Sequence, residues 1–240
     1  MLKKSFQLPF VIVLFLFMSS CYLDFRETVY GNGNVVTEDR SADSFNRLKV
    51  SSGIDVFITQ GEEESIKVIA DENLLEYIKT EIFDNTLKVY TEANIRNARS
   101  KEVHLVYRQL REIDISSAGD VEGTNRMKAD DLDLDLSSAG DLLLDVEAKR
   151  INCNISSAGD ARLSGTVDEL DADLSSAGDL YAWDLVAKKA RVSVSSAGNA
   201  RICATEEVDL NASSAGDIYY KGDPEKINTH KSSAGSIIKK

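Results

Sequence analysis

The sequence predicts an all-β protein built as a parallel β-solenoid, with coils of about 19–20 residues. Three observations carry this. The tetrapeptide SSAG occurs seven times, beginning at Ser116, Ser137, Ser156, Ser175, Ser195, Ser213 and Ser232. Its glycines, Gly119, Gly140, Gly159, Gly178, Gly198, Gly216 and Gly235, are separated by 21, 19, 19, 20, 18 and 19 residues. Apolar and polar residues alternate on both sides of each copy. A near-constant internal period with strand-type alternation is the signature of stacked coils.

The alternation defines the strands. Four residues before the glycines stand Ile115, Leu136, Ile155, Leu174, Val194 and Ala212, and six before stand Ile113, Leu134, Cys153, Ala172, Val192 and Leu210. Polar residues such as Asp114, Asp135 and Asn154 lie between those columns. Two residues after the glycines come Val121, Leu142, Ala161, Leu180, Ala200, Ile218 and Ile237. Each repeat therefore reads as strand, SSAG corner, strand and a variable return. Stacking at about 4.8 Å per coil buries a continuous core, and seven coils make a rod on the order of 30 Å long.

At a corner, glycine is expected to supply positive φ, with Ala and Ser leaving room for neighbouring corners. The Ser hydroxyls and the following Asp are expected to cap local backbone N–H groups. Five copies continue with Asp: Asp120, Asp141, Asp160, Asp179 and Asp217. Such a column has a calcium-binding alternative, but calcium-binding β-rolls use a denser, glycine-rich nonapeptide. A carboxylate pair for acid–base chemistry is a further alternative. Acids recur at nearly every coil, so no pair stands apart.

Residues 22–110 lack SSAG but remain β-rich. Leu48–Gly61, LKVSSGIDVFITQG, carries SSG at 51–53, read as a shortened corner. Ser65–Ala70 reads as a strand, and Asp71 as the cap of a short helix through Ile78. Asp84-Asn85 separates Lys79–Phe83 from Thr86–Tyr90 as a hairpin. Lys101–Tyr107 alternates again, with Val103, Leu105 and Tyr107 on one face. This region is expected to cover the first coil. At the far end the inward positions become Thr229 and Lys231, which would discourage end-to-end stacking.

The opening residues read as a leader. Lys3 and Lys4 precede an apolar run, Phe10–Met18, too short for the roughly 20 residues of a membrane span. Ser19, Ser20 and Cys21 follow. MSSC resembles the bacterial lipoprotein box, with Met18 where Leu is usual, and the resemblance implies lipidation of Cys21. The organisation is then a signal peptide (1–20), a tether (21–35), an N-terminal β-rich part (36–110) and the SSAG solenoid (111–240), continuous with the preceding part. Losing Lys3 and Lys4 takes the net charge from −12 to −14. That acidity argues against nucleic acid and anionic lipid as electrostatic partners. Cys153 and Cys203 form no metal spacing or disulfide framework. His104 and His230 lie far apart without ligand partners, and Gly31–Asn34 precedes no helix, so the reading contains no metal site, cofactor or catalytic group.

Arg40, Phe45, LKVSSGIDVFITQG, TLKVY and then repeated SSAGD together resemble the family of the putative auto-transporter adhesin, head GIN domain. Gly53-Ile54-Asp55 stands at the family's Gly-Ile-Asn-like step, with Asp55 in place of Asn. The resemblance covers roughly residues 36–235. It implies a right-handed parallel β-helix in the Gram-negative envelope, often lipid-anchored, and brings no catalytic residues.

Three functional classes follow. The first is a non-catalytic adhesin or binding module, lipid-anchored in the envelope at the outer membrane, presenting one face to extracellular glycan or protein. The others are a structural envelope protein without a ligand and a polysaccharide-active enzyme. The regular repeats lack the long insertions that build a cleft, which favours binding over catalysis. Three residues after the glycines stand Glu122, Leu143, Arg162, Tyr181, Arg201, Tyr219 and Ile238, with outward parity. Tyr181, Arg201 and Tyr219 on consecutive coils, with Trp183 beside them, are the candidate binding surface. A plain stacking ladder of Arg between rings is the competing reading.

Overall fold

The computed structural model describes residues 26–240. The leader and Cys21 lie outside the described residues. The chain opens with β1 (Thr28–Tyr30) and β2 (Val35–Arg40), followed by β3 (Arg47–Val50) and β4 (Asp55–Gln60) on either side of SSGI. Next come β5 (Ser65–Asp71), a 3-10 turn at Glu72–Leu74, and the strands β6 (Ile78–Phe83) and β7 (Thr86–Thr91). β8 (Asn94–Arg96) pairs with β1 in a small separate sheet, and β9 (Lys101–Tyr107) follows. The repeats supply β10 (Glu112–Ile115), β11 (Asp120–Gly123), β12 (Met127–Leu136), β13 (Asp141–Ile155), β14 (Asp160–Leu174), β15 (Asp179–Val194) and β16 (Asn199–Ala212). β17 (Asp217–Lys221), β18 (Lys226–Lys231) and β19 (Ser236–Lys239) complete the chain. From β13 to β16 one strand runs from corner to corner, so the variable return is itself paired strand.

All strands except β1 and β8 belong to one 17-stranded sheet that wraps as a solenoid. On the pre-corner side, parallel pairing runs β7, β3, β10, β12, β13, β14, β15, β16, β18. On the post-corner side it runs β9, β4, β11, β13, β14, β15, β16, β17, β19. The first coil in sequence, β3–β4, is thus sandwiched between two coils that come later. At the N-terminal end the direction reverses: β5 is antiparallel to β9, β2 to β5 and β6 to β7. The inward columns read from the sequence fill the core; Leu48, Ile113, Leu134, Ile151, Val192 and Leu210 are fully buried. Cys153 points inward as expected, and both it and Cys203 are free.

The corner differs from the expectation in a way that explains its sequence. Positive φ falls on the second Ser and the Ala: Ser157 at 53°, Ala158 at 64°, and likewise in all seven copies. Gly159 N donates to Ser156 O at 3.2 Å, closing a four-residue turn. Two consecutive left-handed residues make this a type I′-like turn, with glycine in its last position. The glycine is needed for a different reason. A Cβ on Gly178 would sit 2.7 Å from Ile155 Cγ2 and 3.0 Å from Ile155 O on the coil beneath. The corners are stitched coil to coil by backbone bonds, Ala158 N to Ser176 O at 3.1 Å and Asp160 N to Gly140 O at 3.1 Å. Side-chain capping is correspondingly scarce. Among the described residues, Asp179 is the corner aspartate whose carboxylate accepts a backbone N–H, that of Asn199 on the next coil.

SSG at 51–53 is a full-length corner. Ser52 (φ 65°) and Gly53 (φ 66°) take the two left-handed positions, and Gly53 N donates to Ser117 O at 3.0 Å. Gly53 therefore occupies the Ala column and Ile54 the glycine column. Ile54 fits because β7 and β9 beneath it are joined through 92–100, without a tight corner, and its side chain is fully buried.

The expected helix after Asp71 is only the 3-10 turn, and Asp71 makes no capping bond to it. Its buried carboxylate turns the other way. It accepts from Gly33 N at 2.8 Å, Arg99 N at 3.1 Å and Ser100 N at 3.2 Å, tying two loops to the end of β5. Arg40 holds the turn instead, donating to Leu75 O at 2.9 Å and Ile78 O at 2.6 Å. The hairpin at Asp84-Asn85 forms as expected, with φ 48° and 55° at the two turn residues.

Candidate functional site

The two outer faces of the solenoid have different chemistry. On the pre-corner side, charges alternate in sign from coil to coil. Asp131, Arg150, Glu169, Lys189, Glu207 and Lys226 are in register on consecutive strands. Arg150 lies 3.4 Å from Asp131 and 3.3 Å from Glu169, and Lys226 lies 3.6 Å from Glu207. Next to this column, Lys149 pairs with Asp130 at 2.7 Å and Lys188 with Asp168 at 2.6 Å. Each exposed pair contributes little alone, but opposite charges across strands fix the stacking order and like charges would oppose it. An open trough of about 1080 Å³ runs beside these pairs over Ala129, Ala148 and Val167. Its floor is small, and most of the charges along it are paired.

The post-corner side carries the candidate residues. In one outward column the register runs His104, Phe57, Glu122, Leu143, Arg162, Tyr181, Arg201, Tyr219, Ile238. Tyr181, Arg201 and Tyr219 thus stand on consecutive strands. Arg162 and Arg201 flank the Tyr181 ring at 4.9 and 4.8 Å from its centroid. Arg201 also lies 5.7 Å from the Tyr219 ring, and Lys240 lies 5.4 Å from it. The column is therefore an alternating ladder of cations and rings. The rings stand on edge to solvent with their faces taken up by neighbouring cations, a geometry that stabilises each contact by about 0.5–1 kcal/mol at exposed sites. Tyr181 Oη donates to Asp179 at 3.1 Å; burial, then this bond, pushes its phenol pKa upward. Arg201 Nη1 is buried between the rings with no acceptor among the described residues.

Trp183 joins the patch by a different route. The register between β15 and β16 jumps from Ala182↔Ile202 to Val186↔Cys203, so Trp183 sits in a bulge. A bulge re-aims side chains, and Lys221 rests 5.4 Å over the Trp183 ring. The sequence reading missed the continuation of the column past the SSAG coils. Phe57 and His104 stack there at 4.8 Å with 20° between planes. The signal was present: Phe57 follows Asp55 by two residues, as Glu122 follows Asp120.

Beside this column lies the acid column Asp55, Asp120, Asp141, Asp160, Asp179, Asn199, Asp217, Ser236, again in register. The Asp160 carboxyl is held above its ordinary value by burial, then by Asp141 and Asp179; Asp120 is raised likewise by burial, Asp55 and Asp141. Among the described residues no cluster of three His, Cys, Asp or Glu side chains is arranged to hold a metal ion.

A coil stack with strand-long columns of one residue per rung defines the class: a parallel β-solenoid. The model of the family described as putative auto-transporter adhesin, head GIN domain, matches residues 44–224, and the chain belongs to that family. The fold is also that of several crystal structures. A putative adhesin from Bacteroides fragilis NCTC 9343 aligns with a TM-score of 0.84 at 22% identity, over 88% of this chain and 100% of that one. A putative lipid binding protein from Parabacteroides distasonis ATCC 8503 aligns at 0.75 and 23% identity, over 89% and 100%. A putative adhesin from Parabacteroides merdae ATCC 43184 aligns at 0.71 and 22%, over 89% and 99%. No curated protein matches the chain.

Proposed function

We propose that this chain is an envelope protein, lipid-anchored through Cys21, whose solenoid is a rigid, non-catalytic binding module, and that the post-corner outer column with Tyr181, Trp183, Arg201 and Tyr219 engages an extracellular ligand. One observation carries the reading: the outer faces are unequal. The pre-corner face is dominated by charges paired from coil to coil. The post-corner column gathers the aromatic rings, Arg162 and Arg201, and the exposed apolar residues Leu143 (47%) and Ile238 (39%). Aromatic and Arg side chains supply most binding hot spots. Because the rings are on edge, the column offers phenol and guanidinium edges, with the partly exposed Trp183 beside them in its bulge. The family description and the names of two of the three structural relatives agree with adhesion, while the third is named for lipid binding.

The test uses the mature chain on glycan arrays and matrix proteins. Tyr181→Ser combined with Tyr219→Ser is expected to abolish binding while the melting curve shifts by only a few degrees. Retained binding in that variant overturns the site. Cys21→Ala is expected to lose palmitate incorporation and leave the membrane fraction, and protease shaving of intact cells is expected to cleave the wild-type chain.

A further inference from the structure

We infer that the surface around Tyr219 binds an anionic glycan, a polysaccharide bearing sulfate or carboxylate groups; this rests on the post-corner column being the binding face. Two independent features of the charge distribution carry it. The first is how the cations are held. On the pre-corner face Lys149, Arg150, Lys188 and Lys226 each have a carboxylate within 4 Å. Arg201, Lys221 and Lys240 have none among the described residues, and lie instead over the rings of Tyr181, Trp183 and Tyr219. A ring positions a cation without neutralising it. Arg201 Nη1 is buried without a hydrogen-bond acceptor among the described residues, so no protein carboxylate neutralises this guanidinium.

The second feature is the neighbouring acid column. It is uninterrupted from Asp55 through Asp179, then alternates: Asn199 on the strand of Arg201, Asp217 on the strand of Tyr219 and Ser236 on the strand of Ile238. The acids thin out where the unpaired cations begin. The same trend holds along the chain. The whole sequence carries −12, yet residues 219–240 hold five Lys against two acids. An acidic protein with one cationic end orients a polyanion toward that end through its own field. Arg201 and Tyr219 lie on adjacent strands, so Arg201 and Lys240 bracket a span of roughly 10 Å at about 4.8 Å per strand. A linear chain charged on alternate sugars presents anions at a comparable repeat, whereas a flat neutral glycan would need ring faces that the cations already cover.

The experiment measures binding of the full mature chain to heparin and to polygalacturonate, with dextran as the neutral probe, at low and moderate salt. Heparin or polygalacturonate binding that weakens with salt is expected, with no binding to dextran. Lys221→Gln with Lys240→Gln should weaken it at least 10-fold, and Arg201→Gln likewise. Lys149→Gln with Lys188→Gln on the other face should leave it unchanged. No polyanion binding at low salt, or equal losses from both pairs of Lys variants, overturns the inference. Binding to dextran that disappears in the Tyr181→Ser, Tyr219→Ser variant would overturn the anionic ligand while leaving the binding face intact. Loss of neither kind would remove both.

Discussion

Gly178 lies against Ile155 of the preceding coil, so closely that a single methyl group on the glycine would meet both the Ile155 side chain and its carbonyl oxygen. Gly178→Ala is therefore expected to destabilise by about 1–3 kcal/mol through overpacking. Ala177, with φ 64°, is the residue in left-handed geometry. Ala177→Gly relieves about 1 kcal/mol of backbone cost, offset by the greater freedom of glycine in the unfolded chain, and should leave stability equal or slightly raised. Ala177→Val should lower it clearly. Urea midpoints of the three variants check this; a Gly178→Ala protein as stable as wild type contradicts the close contact.

The acid column makes a pH prediction. The folded pKa of Asp160 is raised, so its ionisation is harder in the folded chain than in the unfolded one. Its unfavourable contribution is absent at pH below the ordinary carboxylate value of 3.8, grows as pH rises towards the folded pKa, and is complete above it. Asp160→Asn should raise the melting temperature at pH 7, and the gain should shrink on acidification. Asn199 shows the geometry that the amide can adopt, with its Nδ2 donating to Asp179 at 2.8 Å. A gain that is constant from pH 3 to pH 7 would count against charge as the cause.

Asp71→Ala should be among the most damaging single changes. It strands three backbone N–H groups that now share one buried carboxylate, and loses on the order of 3 kcal/mol or more, since bonds to a charged acceptor are each worth about 1.5–3 kcal/mol. Hydrogen exchange should show the loops at Gly33 and Ser100 opening together. Independent opening would break the proposed tie.

Arg201 and Tyr181 form a pair suited to a double-mutant cycle. Arg201→Gln and Tyr181→Leu, singly and together, should give a coupling energy of about 0.5–1 kcal/mol. A coupling of zero means the ring does not hold the guanidinium.

Much of the fold was legible because one residue's role repeats on every rung. Ile155, Leu174 and Val194 hold the same buried column, and a period near nineteen follows from their spacing alone. The return segments were less legible because bulges such as the one at Trp183 absorb the variation in period. The corner glycine was located correctly but for the wrong reason: its φ is ordinary, and the constraint comes from Ile155 on another coil, which no local pattern shows. Asp71 misled for a similar reason. An acid before ENLL looks like a helix cap, while its real partners, Gly33 and Ser100, are distant in sequence. Of the candidate site, the parity and rung order of Tyr181, Arg201 and Tyr219 were readable. The burial of ring faces by Arg162 and Lys240, and the pairing that neutralises the opposite face, were not.

The sandwiching of β3–β4 between later coils has a consequence for assembly. Rungs with nearly identical corners can pair with the wrong neighbour, displaced by one whole repeat, at little energetic penalty, and such near-degenerate alternatives are what frustrates a folding chain. The coil from Arg47 to Gln60 cannot slip in this way. Its two partners differ from one another: β7–β9 below is joined without a tight corner, whereas β10–β11 above is the first SSAG rung, and Ile54 fits only over a coil without a corner. This interleaved coil numbers the stack: it fixes where counting begins, and every SSAG rung then has one place to go.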